Sequence, residues 1–280
     1  MGLFRYTRKT FARELALLAG AVLFAVPVYI LVVLSLKTPG GVAAHPLSFP
    51  TNPQFGNYSK ALHFKAGGTT IIGGLINSLI ITTCSIIGLI VVGSLASYTI
   101  ARRPGKLSTA TYIAFLLGVI IPFQLGLVPV YVAMRHLSLV PSYYGMILLN
   151  IGLLMPLTVF LYTGFVRALP VEYEEAAQVD GASLTRTYIR VVFPLLRPVT
   201  ATVAILAGVI TWNEFFVPLV FLSGSKYQTF TVALYSFVGD FVTQWNYIFA
   251  AVVISIVPIL LFYILAQRQL IRGFSGGVRG

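Results

Sequence analysis

Six long apolar segments constrain this chain more than any other feature of its sequence. A bilayer core of roughly 30 Å requires about 20 consecutive apolar residues per helix. The sequence meets this requirement over residues 15–36, 71–100, 109–133, 143–166, 199–222 and 247–266. Because 58% of its residues are hydrophobic and only 9% are charged, we predict an all-α membrane protein. Its fold is expected to be one six-helix transmembrane domain spanning residues 1–280.

The first apolar segment has a second interpretation, as a cleaved signal peptide. Basic residues precede it, and Val42-Ala43-Ala44 is a candidate cleavage site. However, the segment is 22 residues long, whereas the hydrophobic region of a signal peptide usually has about 7 to 15. We therefore favour a membrane span.

The distribution of Lys and Arg predicts how the helices are oriented. When the connecting segments are assigned alternately to two sides, fourteen of the 19 basic residues fall on one side and five on the other. The basic side contains both termini, and the positive-inside rule places it in the cytoplasm. The net charge of +12 is thereby explained as a topology signal in a lipid bilayer, and it does not indicate nucleic-acid binding.

The common catalytic and metal-binding patterns are absent from this sequence. Cys84 is the only cysteine, so a disulfide or a cysteine-based zinc site is excluded. No Gly-Lys pair is followed by Ser or Thr, as a phosphate-binding P-loop requires. Residues 273–277 match the Gly-x-Ser-x-Gly pattern of serine hydrolases, but they follow a membrane segment instead of a strand. We therefore expect neither enzymatic activity nor a cofactor held by this chain.

Polar and proline residues within the apolar segments predict packing and kinks. Polar side chains would be costly against lipid, so we expect those of the second segment to face other helices or a cavity, with helix packing favoured. They are Asn77, Ser78, Thr82, Thr83, Ser85 and Ser94. Kinks are expected at Pro27, Pro122, Pro129, Pro156, Pro218 and Pro258. Outside the segments, residues 37–70 should form an external loop with a short helix near Tyr58, and residues 223–246 an element near the membrane interface.

An acidic segment interrupts the apolar pattern on the cytoplasmic side. Four of the seven acids, Glu172, Glu174, Glu175 and Asp180, lie within nine residues. Anionic lipid headgroups attract Lys and Arg and repel carboxylates. The segment therefore indicates a protein partner.

Residues 167–198 predict a helix-turn-helix. Pro170 suits a first helical turn, and the glutamates that follow oppose the helix dipole. Gly181 can end this helix in a left-handed conformation, and Ser183 can cap a second helix running to about Val192 before Pro194. The three- and four-residue spacing brings Tyr173, Ala176, Ala177 and Asp180 onto one face. From these residues alone, a self-contained hairpin at the membrane interface is an open alternative.

This loop resembles a known family motif. Glu175-Ala176-Ala177, followed by Gly181, Val191 and Phe193-Pro194, resembles the EAA loop of permease subunits in binding-protein-dependent ABC importers. Val191 and Phe193 replace the usual Ile and Leu. Residues 212–215, Trp-Asn-Glu-Phe, and the C-terminal residues 267–280 look like carbohydrate-uptake permeases of the maltose type, although Arg279 stands where Lys is more common.

The resemblance implies partners and a mechanism. A second permease subunit would complete the pore as a heterodimer, and two ABC ATPase subunits would bind ATP and Mg. An extracytoplasmic binding protein would deliver a sugar or oligosaccharide, which would cross a prokaryotic cytoplasmic (inner) membrane by alternating access. The EAA loop would act as a coupling helix on one ATPase. Its expected coupling residues are Glu174, Glu175, Ala176, Ala177, Asp180, Gly181 and Pro194.

Glu214 is the only acid within a predicted span, and such residues are functional candidates by default. Together with Asn77, Trp212 and Asn213, it is expected to line the path or to join the two permeases. The rival hypothesis is an ion-coupled secondary transporter with Glu214 as its coupling carboxylate. The absence of a second acid or a base nearby in the spans weakens that rival, and a membrane-embedded enzyme has still less support.

Overall fold

The computed structural model describes residues 8–240 and 244–276, which are mostly helical. Within these ranges the α-helices are α1 (Arg8–Ser35), α2 (Pro39–Ala44), α3 (Gly56–His63), α4 (Ile71–Gly88), α5 (Ser94–Arg102), α6 (Lys106–Ile120), α7 (Leu127–His136), α8 (Tyr143–Ala168), α9 (Glu172–Val179), α10 (Leu184–Thr187), α11 (Phe193–Leu195), α12 (Arg197–Asn213), α13 (Phe216–Leu222), α14 (Phe230–Asp240) and α15 (Trp245–Gly276). Strand β1 (Lys65–Ala66) pairs antiparallel with β2 (Thr69–Thr70). The chain ends, including Arg279, and residues 241–243 lie outside the described residues.

Shorter helical turns connect several of these helices. The π-helical turn Leu89–Gly93 joins α4 to α5, so that Ile71–Arg102 forms one helical segment of 32 residues. A second π-helical turn, Tyr188–Val192, joins α10 to α11, and a 3-10 turn, Phe123–Gly126, precedes α7. Helix α12 follows α11 directly.

Three of the described helical segments are long and apolar enough to cross a membrane. They are Thr10–Ser35, Ile71–Arg102 and Tyr143–Ala168. Two bent pairs raise the number to five if each pair is one span: Lys106–Ile120 with Phe123–His136, bent by 93°, and Leu184–Leu195 with Arg197–Asn213, bent by 71°. A further apolar stretch, Trp245–Pro258, begins the 32-residue helix α15.

The third and fifth predicted spans are not continuous helices. The prediction of one helix over 109–133 is wrong because the chain turns between Ile120 and Phe123. Ile121 and Pro122 are both extended, as expected where proline disfavours helical geometry in the preceding residue. The prediction of one helix over 199–222 is also wrong, since α12 ends at Asn213 and Glu214 is extended before α13 begins.

The long segment Ile71–Arg102 packs against α8 and α12 in the middle of the protein. Its polar side chains lie on the packed face, as predicted: Asn77, Ser78, Thr82, Ser85 and Ser94 are buried, and only Thr83 of the six is exposed. The approach to α8 is close at Gly93, where an added Cβ would lie 2.4 Å from Thr158 Cγ2. A small residue at this position therefore permits the contact.

The two segments that the sequence predicted outside the spans pack onto the same bundle. Helix α3 contains Tyr58, as predicted, and the Tyr58 hydroxyl shares a hydrogen bond of 2.7 Å with Ser35 Oγ. Helix α14 lies against α4, with Phe230 and Phe237 buried, and the Phe230 N–H donates to Ser78 Oγ at 2.8 Å. The predicted interfacial element is thus docked on the bundle, a contact that the sequence prediction lacked.

Candidate functional site

Helix α9 begins the predicted helix-turn-helix at the end of α8. Glu172, Glu174 and Glu175 occupy its first turn, where negative charge favourably opposes the helix dipole. Pro170 lies two residues before the helix instead of in its first turn, and Val171 at the N-cap provides no side-chain hydrogen bond. The glutamates are therefore the main sequence signal for this helix start.

Gly181 ends α9 in the conformation that the sequence predicted. Its φ is +80°, in the left-handed region. The Gly181 N–H donates to Gln178 O and the Ala182 N–H to Ala177 O, both at 3.0 Å, the hydrogen-bond pattern of a Schellman motif. Ser183 then caps α10 by accepting from the Arg186 N–H at 3.4 Å. These contacts fix the turn between the two limbs of the loop.

The second limb is longer than predicted. Instead of ending before Pro194, the helical run continues through it to Leu195, with Pro194 in the first turn of α11. The sharp change of direction comes at Leu196, where the chain bends by 71° into α12. The loop therefore connects directly to α12, the first helix of the fifth predicted span.

Glu174 anchors α9 to the bundle. Its side chain is buried, at 5% exposure. Arg102 Nε donates to Glu174 Oε1 at 2.7 Å, and the Tyr98 hydroxyl donates to Oε2 at 2.7 Å. Arg102 Nη2 also donates to Leu169 O at 2.9 Å. Both carboxylate oxygens are thus occupied by α5, and this ion pair stabilises the position of α9.

Tyr188 anchors the second limb to the same helix. Its hydroxyl shares a hydrogen bond of 2.7 Å with Ser94 Oγ, and its ring lies 5.1 Å from that of Tyr98. Burial raises the pKa of the Tyr188 hydroxyl above its usual range, an effect that the Ser94 hydrogen bond opposes. Both limbs of the loop are therefore fastened to α5.

The other predicted coupling residues lie on the outer surface of the loop. Glu175, Ala176, Asp180 and Gly181 are exposed, while Ala177 and Pro194 are partly buried. Exposed apolar side chains lie beside the acids. They are Tyr173, Val179 and Leu184, and Val179 reaches 88% exposure. Glu174 is thus the only one of the predicted coupling acids that is buried.

Asn77 does not face open space. It is buried, and its Nδ2 donates to Lys226 O at 2.9 Å and to Gln228 O at 2.8 Å. Its Oδ1 accepts a hydrogen bond from the Tyr143 hydroxyl. The side chain therefore joins α4 to α8 and to the segment before α14, which satisfies its polar atoms within the chain.

Glu214 lies at the break between α12 and α13. Its Oε1 accepts from the Val217 N–H at 3.1 Å, which caps α13, and its backbone O accepts from Thr231 Oγ1 at 2.8 Å. Trp212 and Asn213 border a separate cavity of about 130 Å³ with Thr82 and Thr83. The structure thus separates the residues that the sequence grouped over 212–214.

Glu214 borders a cavity of about 300 Å³ between α6, α8 and the break that follows α12. Gln124, Asn150 and Thr211 also line it, and sequence reasoning missed all three. Asn150 Nδ2 and Thr211 Oγ1 are buried without a hydrogen-bond partner. Asn150 could have been found by the criterion that selected Glu214, since its amide lies within an apolar segment.

A metal-binding role has no support in the described ranges. No group of three or more His, Cys, Asp or Glu side chains there is close enough to hold an ion. The two regions of interest are the loop at the end of α8 and the cavity beside Glu214, and they do not share residues.

Comparison with known proteins gives a family match over most of the chain. Residues 89–276 match the model of the family described as "Binding-protein-dependent transport system inner membrane component". The chain is 37% identical over 276 residues to the melibiose/raffinose/stachyose import permease protein MelC of Bacillus subtilis (strain 168), covering 98% of each protein. It is 31% identical to the multiple sugar-binding transport system permease protein MsmG of Streptococcus mutans, covering 95% of this chain and 96% of that protein.

A solved structure has the same fold. The crystal structure of a bacterial ABC transporter involved in the import of the acidic polysaccharide alginate contains a similar chain, with a TM-score of 0.76 at 20% sequence identity. The match covers 94% of this chain and 98% of that one. At this level of identity the likeness concerns the fold alone.

Proposed function

This chain belongs to the family of inner membrane components of binding-protein-dependent transport systems, and on that premise we propose that it is a permease subunit of an ATP-driven sugar importer. The support for sugar comes from its relatives, which are named for melibiose, raffinose, stachyose and other sugars. We propose that the transported solute is a neutral sugar or oligosaccharide.

The proposed architecture has six spans with both termini in the cytoplasm of a prokaryotic cell. Spans three and five are broken helices, and α15 supplies the sixth. The excess of Lys and Arg on one side supports this orientation. A second permease subunit, most simply a different one, would complete the pore. Two ATPase subunits would bind ATP and Mg, and an extracytoplasmic binding protein would deliver the sugar.

The observation that supports coupling most directly is the two-sided character of the loop, residues 167–198. Its inner side is held to α5 by the buried pair of Arg102 and Glu174. Its exposed side chains include Val179 and Leu184 together with the acids Glu175 and Asp180. Carboxylates are repelled by anionic headgroups, so this mixed surface fits a protein cleft better than the inner leaflet. We assign that cleft to an ATPase subunit.

The proposed mechanism depends on the hydrogen bonds that connect α9 and the rest of the loop to α5. Closure of the ATPase pair on ATP would displace α9. Because Glu174 is bonded to Arg102 and Tyr98, and Tyr188 to Ser94, the displacement would be transmitted to α5. Helix α5 continues through a π-helical turn into α4 and packs on α8, so the bundle would move as one body. ATP binding and hydrolysis would thereby bias the pore between inward- and outward-facing states.

The test is purification of the chain with its native partners, followed by uptake assays in proteoliposomes. We expect a second permease and an ATPase to co-purify, and radiolabelled raffinose, melibiose or stachyose to accumulate only with binding protein and ATP. Accumulation of sugar by the chain alone, driven by an ion gradient and abolished by an ionophore, would contradict the proposal in favour of a secondary transporter.

A further inference from the structure

The cavity beside Glu214 has features of a binding site that the coupling mechanism does not use. It lies where two membrane helices are interrupted, at Ile121 and Pro122 after α6 and at Glu214 before α13. Interrupted helices expose backbone polar groups, and inside a membrane these are tolerated where they border protein or a water-filled cavity. In transporters such breaks mark positions where a solute is held.

Two polar side chains that line this cavity have no hydrogen-bond partner within the chain for one of their buried atoms. Asn150 is 4% exposed and Thr211 is 7% exposed, yet Asn150 Nδ2 and Thr211 Oγ1 have no hydrogen-bond partner. Leaving a buried donor unpaired costs about 1–3 kcal/mol. Two such groups bordering one cavity therefore indicate an occupant that accepts and donates hydrogen bonds.

The charge of the cavity limits the class of occupant. Glu214 is the only charged residue in its lining, so an anionic solute would be repelled. Glu214 also offers acceptor capacity beyond its bond to the Val217 N–H. Apolar side chains, including Leu153 and Phe216, form the remaining wall. A carboxylate, an amide and a hydroxyl beside an apolar wall match a sugar ring, which has hydroxyl groups at its edge and C–H groups on its faces.

We propose that Asn150, Thr211 and Glu214 form a subsite for one ring of a neutral sugar within this subunit. The proposal rests on the proposed import function and extends it, because it gives this chain its own direct contacts with the solute. The Asn150 amide donates to a sugar hydroxyl, Thr211 exchanges a hydrogen bond with another, and the Glu214 carboxylate accepts from a third. The volume of about 300 Å³ accommodates a single ring.

The experiment measures uptake by the complete importer in proteoliposomes, with raffinose or whichever neutral oligosaccharide the wild-type complex accumulates. Thr211→Val removes a hydroxyl at nearly constant volume, and Asn150→Leu removes the amide. We expect each to lower the rate of uptake at subsaturating sugar roughly 5- to 15-fold, the effect of one lost hydrogen bond. Thr163→Val is the matched control, because Thr163 Oγ1 is also buried and unpartnered but lies outside this cavity. We expect it to transport like wild type.

Deoxy analogues of the transported sugar distinguish the loss of a direct contact with the sugar from an effect of the substitution on folding. The wild-type complex should discriminate against the analogue that lacks the hydroxyl bound by Thr211, and Thr211→Val should lose that discrimination while keeping it for other positions. Unchanged discrimination in every variant would overturn the proposal. So would sodium-dependent uptake that Glu214→Gln abolishes, since the cavity would then hold a cation. Failure of the wild-type complex to accumulate any sugar would instead refute the import function itself.

Discussion

Glu174 and Glu175 are neighbours in the chain, but they differ in burial and in hydrogen bonding. Glu174 is buried against Arg102 and Tyr98, while the side chain of Glu175 is exposed. Successive residues of a helix differ in direction by about 100°, so two identical side chains can serve different purposes. We assign Glu174 to positioning the loop and Glu175 to its contact with the ATPase.

Replacing Glu174 with Gln should loosen the loop without unfolding the bundle. The change removes the charge that pairs with Arg102, and breaking a charged hydrogen bond of this kind costs about 1.5–3 kcal/mol. We expect backbone amides of α9 to exchange with deuterium at least tenfold faster, as measured by mass spectrometry on the purified complex. Glu172→Gln is the control, since Glu172 is an exposed acid in the first turn of the same helix and is not among the expected coupling residues. Equal protection of α9 in the two variants would refute an anchoring role for Glu174.

At the scale of elements, the turn after α9 depends on backbone conformation and not on space. A Cβ added to Gly181 would meet nothing within 4 Å, but its φ of +80° disfavours side chains other than that of Asn or Asp. A substitution at Gly181 therefore tests backbone strain alone, without the steric clash that often accompanies the replacement of a glycine.

Gly181→Val should therefore uncouple ATP hydrolysis from uptake, whereas Gly181→Asn should retain most uptake. The left-handed conformation costs roughly 1–2 kcal/mol for ordinary residues and more for a β-branched one. The measurement is the ratio of sugar transported to ATP hydrolysed in proteoliposomes. A wild-type ratio in Gly181→Val would show that this turn is not needed for coupling.

The sequence predicted the apolar segments better than the path of the backbone through them. Segments 71–100 and 143–166 lie within continuous helices, as predicted. The kink expected at Pro122 is a complete break of 93°, and the break at Glu214 was not predicted, since hydropathy is similar on both sides of each. Proline was not a sufficient signal, because Pro27, Pro156 and Pro258 lie inside uninterrupted helices. Whether a proline kinks or breaks a helix depends on which neighbours satisfy the freed carbonyls.

The sequence predicted one of the two candidate sites better than the other, because one is formed by local interactions and the other by the packing of distant helices. The loop was found because Gly181, Ser183 and the glutamates act locally on the backbone. The cavity was not predicted, because Asn150 and Thr211 are brought together only by the packing of α8 on α12. Asn77 looked like a path residue but is bonded within the chain, which no local pattern indicates.

The contact between the long segment Ile71–Arg102 and α8 should be sensitive to one methyl group. Gly93→Ala would place its Cβ about 2.4 Å from Thr158 Cγ2, which is too close. Overpacking of this kind costs about 1–3 kcal/mol. Thr158→Ser removes that methyl and keeps the hydroxyl that donates to Leu154 O, so the double variant should recover most of the loss.

The measurement is the thermal midpoint of the complex in detergent, compared for Gly93→Ala, Thr158→Ser and the double variant. Gly164→Ala is the control, because nothing lies within 4 Å of its added Cβ. An additive loss in the double variant would show that the two positions are not in contact as described.

For the whole molecule, the segment Ile71–Arg102 contacts both the loop and the helices α8 and α12, which line the cavity beside Glu214. Its 32 residues correspond to roughly 48 Å of helix, more than the hydrocarbon core of a bilayer. One end is bonded to α9 through Arg102 and the other to α8 and the segment before α14 through Asn77. In the proposed account, this rigid connection is what converts movement of the loop at the cytoplasmic side into movement around the cavity.

The measurement that tests this account most directly is cross-linking of Val179 to the ATPase. Cys84→Ala would remove the only native cysteine, and Val179→Cys would place a thiol on the exposed face of α9. Tyr144→Cys, exposed at the opposite end of α8, is the control. We expect benzophenone maleimide, attached to the thiol of Val179→Cys and then photoactivated, to cross-link this position to the ATPase subunit and the yield to change on addition of ATP. Failure of Val179→Cys to cross-link in an assembled, transporting complex would contradict the coupling role of this loop.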